Sequence, residues 1–150
     1  MKDPRPYFVG DHNLWAAEEM SDWSGPYNAG VLAMKSVDAS TKCIRRWRTE
    51  LEEKEEASTN QQSFNGAVKR LRHELKPYML NQTQFPVGKI LQNFGEDKVD
   101  EHTLSADTVI LHNNHCEHKC PGKPERLKRM GLWADTNAVN LFIDANQHKH

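Results

Sequence analysis

The segment from Leu111 to Cys120 contains three histidines and two cysteines within ten residues. Imidazole nitrogens and thiolate sulfurs are the ligands that Zn²⁺ prefers, and two neighbouring cysteines can also form a disulfide. The cluster is therefore compatible with three kinds of site: a zinc site, a disulfide clasp, or one functional histidine among side chains that bind nothing. Each alternative implies a different class of protein.

The spacing of these residues argues against a dedicated zinc site. Structural zinc sites usually take two ligand pairs that are separated by a spacer. Here the possible ligands crowd into one stretch, and the next histidines, His148 and His150, lie at the end of the chain. A polar loop that binds nothing, or a single functional histidine, is the better interpretation. The clustered residues are His112, His115, Cys116, His118 and Cys120.

Composition limits the classes of partner and the size of the core. The 150 residues correspond to one domain, and 20 basic against 21 acidic side chains give a net charge of −1. This balance provides no electrostatic attraction for nucleic acid or for an anionic membrane surface. A hydrophobic fraction of 37% with a mean hydropathy of −0.84 is low. We therefore expect a thin core and a fold of which a part is missing.

No stretch of this sequence resembles a targeting or membrane-spanning segment. Its apolar runs fall far short of the roughly 20 residues that a spanning helix needs. The amino-terminal sequence MKDPRPYFVGD lacks the apolar stretch of a signal peptide. One glycosylation sequon, at Asn81, is compatible with a secretory lumen.

The elements that would position the histidines begin after an opening segment that shows no clear hydrophobic period. This segment, up to Ser24, is expected to be irregular. The Gly25-Pro26 turn signal then precedes the run from Tyr27 to Met34, which predicts a buried strand. Ser36 or Asp38 can cap a helix that extends to about Glu56, with an apolar stripe of Ile44, Trp47 and Leu51. Within this helical pattern a buried thiol is expected at Cys43.

A second helix is expected to begin near Asn60 and to be stopped by Pro77. Its apolar face comprises Phe64, Ala67, Val68, Leu71 and Leu75. A short strand over 78–80, a turn over 85–88 and a short apolar piece at 90–91 follow. Strands that alternate with helices predict the α/β class.

The last part of the chain contains the histidine cluster and one more helix. The apolar run from Thr108 to Leu111 ends at His112, and ligands in open α/β sheets bind beyond the carboxyl ends of strands. Pro124 suits the first turn of a helix, and Gly131 suits the position that follows its end. The sequence therefore predicts that His112 lies at a ligand-binding edge.

Six short blocks occur in the order that is typical of one enzyme family. Together they resemble the nucleotide-diphospho-sugar transferase domain of plant and algal α-xylosyl- and arabinosyltransferases. The resemblance spans Asp3 to Trp133. The blocks are DPRPYF from Asp3, YNAG from Tyr27, NQQ with FN from Asn60, FPVG from Phe85, HNN from His112, and KPERL with GLW from Lys123.

The resemblance implies an incomplete GT-A type, Rossmann-like fold. Residues 1–133 would form the carboxyl-terminal half of the transferase domain, and residues 134–150 a tail. It further implies a sugar moved from a nucleotide-diphosphate donor to a polysaccharide or glycoprotein acceptor, with retention of configuration and with Mn²⁺ or Mg²⁺ neutralising the leaving diphosphate. The full-length protein would be a membrane-anchored Golgi enzyme of cell-wall synthesis.

The resemblance also implies roles for particular residues. His112 matches a histidine that holds the metal ion together with an Asp-x-Asp motif. Lys123 matches a lysine that reaches the diphosphate oxygens. Asn28, together with Gly30 of the same turn, matches positions on the cofactor side of the site that line the sugar and the acceptor.

Two departures from the family pattern affect catalysis. Gln61 and Gln62 are expected at the catalytic positions, where the family has an Asp-Gln pair whose aspartate contacts the donor sugar. A carboxamide cannot accept a proton as a carboxylate does. The Asp-x-Asp motif would lie just before Asp3, so we expect the isolated chain to be inactive. Two alternatives stay open: a non-catalytic remnant that acts as an interaction module, and a small zinc-binding protein.

Overall fold

The computed structural model describes residues 2–19, 24–53, 59–92, 99–100, 102–114 and 122–132. These residues form a mixed α/β structure around one three-stranded sheet, which confirms the predicted class. The strands are β1 (Leu14–Glu18), β2 (Tyr27–Met34) and β3 (Pro77–Leu80). Their order is β2-β1-β3, with β1 antiparallel to β2 and parallel to β3.

Four helices accompany the sheet in the described part of the chain. They are α1 (Asp38–Glu53), α2 (Asn60–Arg70), α3 (Gly88–Gln92) and α4 (Gly122–Arg129), and a short 3-10 turn covers Arg5–Tyr7. None of these helices is long and apolar enough to span a membrane. The predicted tail at 134–150 lies outside the described residues.

The prediction of an irregular opening segment was wrong, because β1 is the central strand. Leu14 and Ala16 pack on the helix side of the sheet, whereas Trp15 and Ala17 pack on the opposite side. A strand that is buried on both faces shows no alternation of polar and apolar residues, and alanine has a low intrinsic preference for strands. The sequence LWAAE therefore carries no strand signal of its own.

The buried face of α1 differs from the predicted stripe, of which only Trp47 packs against the core. Ser40, Cys43 and Glu50 are buried, whereas Ile44 and Leu51 are 54% and 42% exposed. The predicted thiol burial at Cys43 is confirmed, and desolvation raises the pKa of that thiol to about 11. The carboxylate of Glu50 can be buried at the contact of α1 with α2 because two arginines neutralise its charge.

These two arginines, Arg46 and Arg70, both donate hydrogen bonds to Glu50 Oε1. Burial by itself would raise the pKa of this carboxyl, but the two guanidinium groups outweigh burial and lower its pKa below the ordinary 4.5. A carboxyl with a lowered pKa stabilises the fold above its unfolded pKa, and this stabilisation is lost as the pH falls through the folded pKa.

We therefore expect Glu50→Gln to reduce the free energy of unfolding by about 2 kcal/mol at pH 7. The difference from the wild type should shrink below about pH 4.5, as the wild-type carboxyl takes up a proton. Urea unfolding at several pH values measures both effects. Glu52→Gln is the control, because the exposed pair of Glu52 with Arg48 should contribute less than about 0.5 kcal/mol. Equal losses in both variants would contradict this account.

The helix α2 begins as predicted. Thr59 and Gln62 form a reciprocal capping box at its start. Its predicted apolar face is confirmed, since Phe64, Ala67, Val68 and Leu75 are buried in the core on the helix side and Leu71 packs against them. The helix ends at Arg70, before the predicted stop at Pro77, which instead begins β3.

The end of α4 follows the predicted pattern. Pro124 lies in the first turn, and Gly131 has a φ of +65° after the last turn. Its amide donates to the carbonyl of Lys128 at 3.0 Å, and the amide of Leu132 donates to that of Leu127 at 2.8 Å. This pair of bonds is a Schellman motif, which satisfies the last carbonyls of the helix.

Candidate functional site

His112 lies on the sheet face opposite α1 and α2. The preceding run 108–111 forms no regular strand, contrary to the prediction of a strand end, although two of its amides donate to the carbonyl of Gln84 at 2.7 and 3.2 Å. His112 forms a single parallel bridge with Val87, and its amide donates to the carbonyl of Pro86 at 3.0 Å. These contacts fix the backbone from which the imidazole projects.

The imidazole of His112 packs directly on Gly30. A Cβ atom built on Gly30 would overlap the Nε2 and Cε1 atoms of the ring. Gly30 lies in an irregular part of β2, because Ala16 pairs with Leu32 but Ala17 pairs with Asn28. Such bulges redirect the chain locally. The structure therefore brings together two predicted site residues, and it does so through the absence of a side chain at position 30.

Asn28 is fixed by two hydrogen bonds in the interior. It is 1% exposed, and its Nδ2 donates to Glu19 Oε2 at 2.7 Å. Its Oδ1 accepts the amide of Gly30 at 2.7 Å. The side chain of Asn28 thus links the end of β1 to the residue beneath the imidazole. Glu19 had not been predicted, because a single acidic residue gives no signal of a buried partner.

The residues after His112 connect it to α4. Asn113 Nδ2 donates to the carbonyl of Lys123 at 3.4 Å, and the buried Arg126 donates from Nη2 to the carbonyl of Asn114 at 3.1 Å. Lys123 in the first turn of α4 therefore lies beside the His112 segment. Among the described residues, Asn113 Oδ1 is buried without a hydrogen-bond partner. A buried acceptor of this kind is often satisfied by a water molecule or a ligand.

Gly88, at the start of α3, contacts the segment that follows His112. Its amide donates to Asn114 Oδ1 at 2.6 Å. A Cβ atom at position 88 would overlap the carbonyl oxygen of Asn114 and would approach its backbone nitrogen to 2.8 Å. Position 88 therefore tolerates only glycine. This contact explains the glycine of the FPVG block and the last asparagine of the HNN block.

Gln61 makes its contacts with β2. Its Oε1 accepts the amide of Ala29 at 2.8 Å, and its Nε2 donates to the carbonyl of Tyr27. Asn65, one turn later, accepts the amide of Tyr27 at 3.0 Å and donates to its carbonyl at 2.7 Å. The side-chain amides of Gln61 and Asn65 thus form hydrogen bonds with the backbone at the outer edge of β2, as a neighbouring strand would.

A carboxylate at position 61 could not make both bonds of Gln61, because a carboxylate has no proton to donate to the carbonyl of Tyr27. The glutamine therefore holds Ala29, the neighbour of Gly30, in place. Gln62 accepts the amide of Thr59 as part of the helix cap. Direct catalytic roles for Gln61 and Gln62 stay predictions.

The metal prediction involves one described residue. In the part of the chain that the structure describes, no group of three His, Cys, Asp or Glu side chains converges. His112 offers one nitrogen, whereas Mn²⁺ and Mg²⁺ take several oxygen ligands. These residues therefore do not form a metal centre by themselves. The zinc site and the disulfide that were considered for Cys116 and Cys120 involve residues outside the described part of the chain.

The geometry can be compared with known proteins. A sequence profile for nucleotide-diphospho-sugar transferases matches residues 1–130. The chain is also 23% identical over 155 aligned positions to a UDP-D-xylose:L-fucose alpha-1,3-D-xylosyltransferase of Arabidopsis thaliana. The alignment covers 89% of this chain and 41% of that relative. No solved structure matches the chain significantly.

The profile match covers most of the described fold. The matched range includes β1 to β3, α1 to α4 and each predicted site residue. The chain spans about two fifths of the length of its Arabidopsis relative. On this evidence the chain belongs to the nucleotide-diphospho-sugar transferase family.

Proposed function

We propose that this chain forms part of a glycosyltransferase site that moves a sugar from a nucleotide-diphosphate donor to a glycan or glycoprotein acceptor. The observation that carries the proposal is the contact of the His112 imidazole with Gly30, because it joins two blocks that are far apart in the sequence. The name of the Arabidopsis relative supports a UDP-linked donor sugar. Retention of configuration is part of the proposal through the family resemblance.

The roles of the residues follow from the charge that develops during transfer. Cleavage of the sugar–phosphate bond leaves a nucleoside diphosphate, which cationic groups stabilise most when they are already in position. Lys123 is half-buried beside the segment of His112 and supplies a positive charge. The unpartnered Asn113 Oδ1 can accept a hydrogen bond from a hydroxyl group of the substrate. Asn28 acts through Gly30, by holding the surface on which the imidazole rests.

His112 would hold a divalent ion as one ligand of several. A bound Mn²⁺ or Mg²⁺ would neutralise the diphosphate of the leaving group. Because the described residues provide one candidate ligand, we propose that carboxylates elsewhere in the protein complete the site. The Golgi location, the membrane anchor and the cell-wall acceptor of the full-length protein also stay predictions.

Titration of the chain with UDP-xylose and Mn²⁺, followed by calorimetry or by NMR, tests the proposal. We expect saturable binding that Lys123→Gln weakens at least roughly tenfold, because a hydrogen bond from a charged group to a phosphate is lost. We expect no transfer of xylose by these 150 residues alone. Lys128→Gln is the control on the same helix, since Lys128 is exposed and lies 4.0 Å from Glu125. Equal affinity in both variants would refute the role of Lys123.

A further inference from the structure

A separate cavity lies on the helix side of the sheet, away from His112. Its volume is about 540 Å³, and it is bounded by α2 and by the beginnings of β2 and β3. Tyr27 lines it and packs with the helix-side core, whereas the partner of His112, Val87, belongs to the opposite core. Cavities that bind small molecules usually measure about 300–1,000 Å³. The size therefore fits a small molecule.

The walls of this cavity are largely apolar. Pro26, Tyr27, Val68 and Pro77 contribute rings and a branched side chain. The amide groups that also line it are already engaged, since Asn65 is bonded to the backbone of Tyr27 and Gln62 caps α2. A ligand would thus find apolar surface along most of its length.

The polar groups that remain available in the cavity are hydrogen-bond donors. Among the described residues, Lys69 makes no ion pair or hydrogen bond, and Arg72 donates from Nε alone, to His73 at 3.1 Å. Neighbouring cations are paired, because Arg70 bonds to Glu50 and Lys42 to Glu74. Burial raises the pKa of the Tyr27 hydroxyl, which keeps its proton available for donation.

We propose that this cavity binds a small organic anion through Lys69 and Arg72. A phosphate or carboxylate group would bond to the ammonium and guanidinium groups, which suit such oxyanions. A flat apolar ring would pack against Tyr27 and the two prolines. The cavity includes neither His112 nor Lys123, and Gln62, which lines it, is bonded to Thr59 in the cap of α2. Binding in the cavity can therefore be measured separately from the proposed transfer.

Phenyl phosphate is a suitable probe because it combines an aromatic ring with a phosphate dianion. We expect it to bind the 150-residue chain more tightly than inorganic phosphate or phenol, each of which offers half of the interaction. The double variant Lys69→Gln/Arg72→Gln should weaken binding at least roughly tenfold through the loss of two charge-assisted hydrogen bonds. The NMR signals of Tyr27 should shift on binding.

The matched control is Arg45→Gln/Arg48→Gln on α1, which removes two exposed arginines with the same spacing and the same change of charge. This variant should bind phenyl phosphate as the wild type does. Equal weakening in both double variants, no binding at all, or equal affinity for phosphate and phenyl phosphate would overturn the proposal. Because Lys69 and Arg72 are exposed, both double variants should melt close to the wild type.

Discussion

Replacing Gly88 with alanine should reduce the free energy of unfolding by about 3 kcal/mol, near the upper end for overpacking. The new Cβ would collide with the backbone of Asn114, and backbone cannot rotate away as a flexible side chain can. The displaced carbonyl of Asn114 is also the acceptor of the buried Arg126. We expect the melting temperature to fall by about 10 °C, measured by circular dichroism.

Gly131→Ala is the matched control for this substitution. Gly131 has a φ of +65° but no heavy atom within 4 Å of a built Cβ, so the variant measures backbone strain alone. That strain should cost about 1 kcal/mol. If Gly88→Ala cost no more than Gly131→Ala, the close contact between α3 and the His112 segment would be contradicted.

Replacing Gly30 with alanine should displace the imidazole of His112. We expect a loss of about 2 kcal/mol in the free energy of unfolding, since the ring or β2 must move. His112→Ala removes the obstacle, so the double variant should lose less than the sum of the two single variants. The difference, a coupling of about 1–2 kcal/mol, measures the contact in a double-mutant cycle.

The control cycle pairs Gly30→Ala with His102→Ala, because His102 is exposed and the atoms nearest to a Cβ built on Gly30 all belong to His112. The two losses should add in that cycle. Additive losses in the cycle with His112 would mean that the imidazole does not rest on Gly30. The proposed arrangement of the site would then be wrong.

The elements that the sequence predicted correctly are those that depend on neighbouring residues alone. The strand β2 was predicted with its observed bounds, and the start of α2 near Asn60 and the glycine after α4 were also predicted. The capping box at Thr59 had not been predicted. The central strand β1 was missed because burial on both faces removes the alternation that marks a strand. The face of α1 was predicted correctly only at Trp47. The rest was missed because Glu50 is buried through two arginines, one of which is 20 residues away.

The resemblance proposes residues for the site, but no local pattern shows the contacts among them. The resemblance selected Asn28, Gly30, His112 and Lys123, and the structure joins them through the bulge in β2 and the HNN block. No local pattern shows that position 30 must lack a side chain because position 112 packs on it. The bonds of Gln61 to the edge of β2 likewise depend on the packing of α2.

The central claim is that His112 faces the diphosphate and metal side of a sugar-nucleotide site. The most direct test is the paramagnetic broadening of histidine NMR signals by substoichiometric Mn²⁺ in the presence of UDP. We predict that the signals of His112 broaden first, whereas those of His12, which packs against Tyr78, and of the exposed His102 stay sharp. If the signals of His112 broadened no more than those of His12 and His102, the claim would be contradicted.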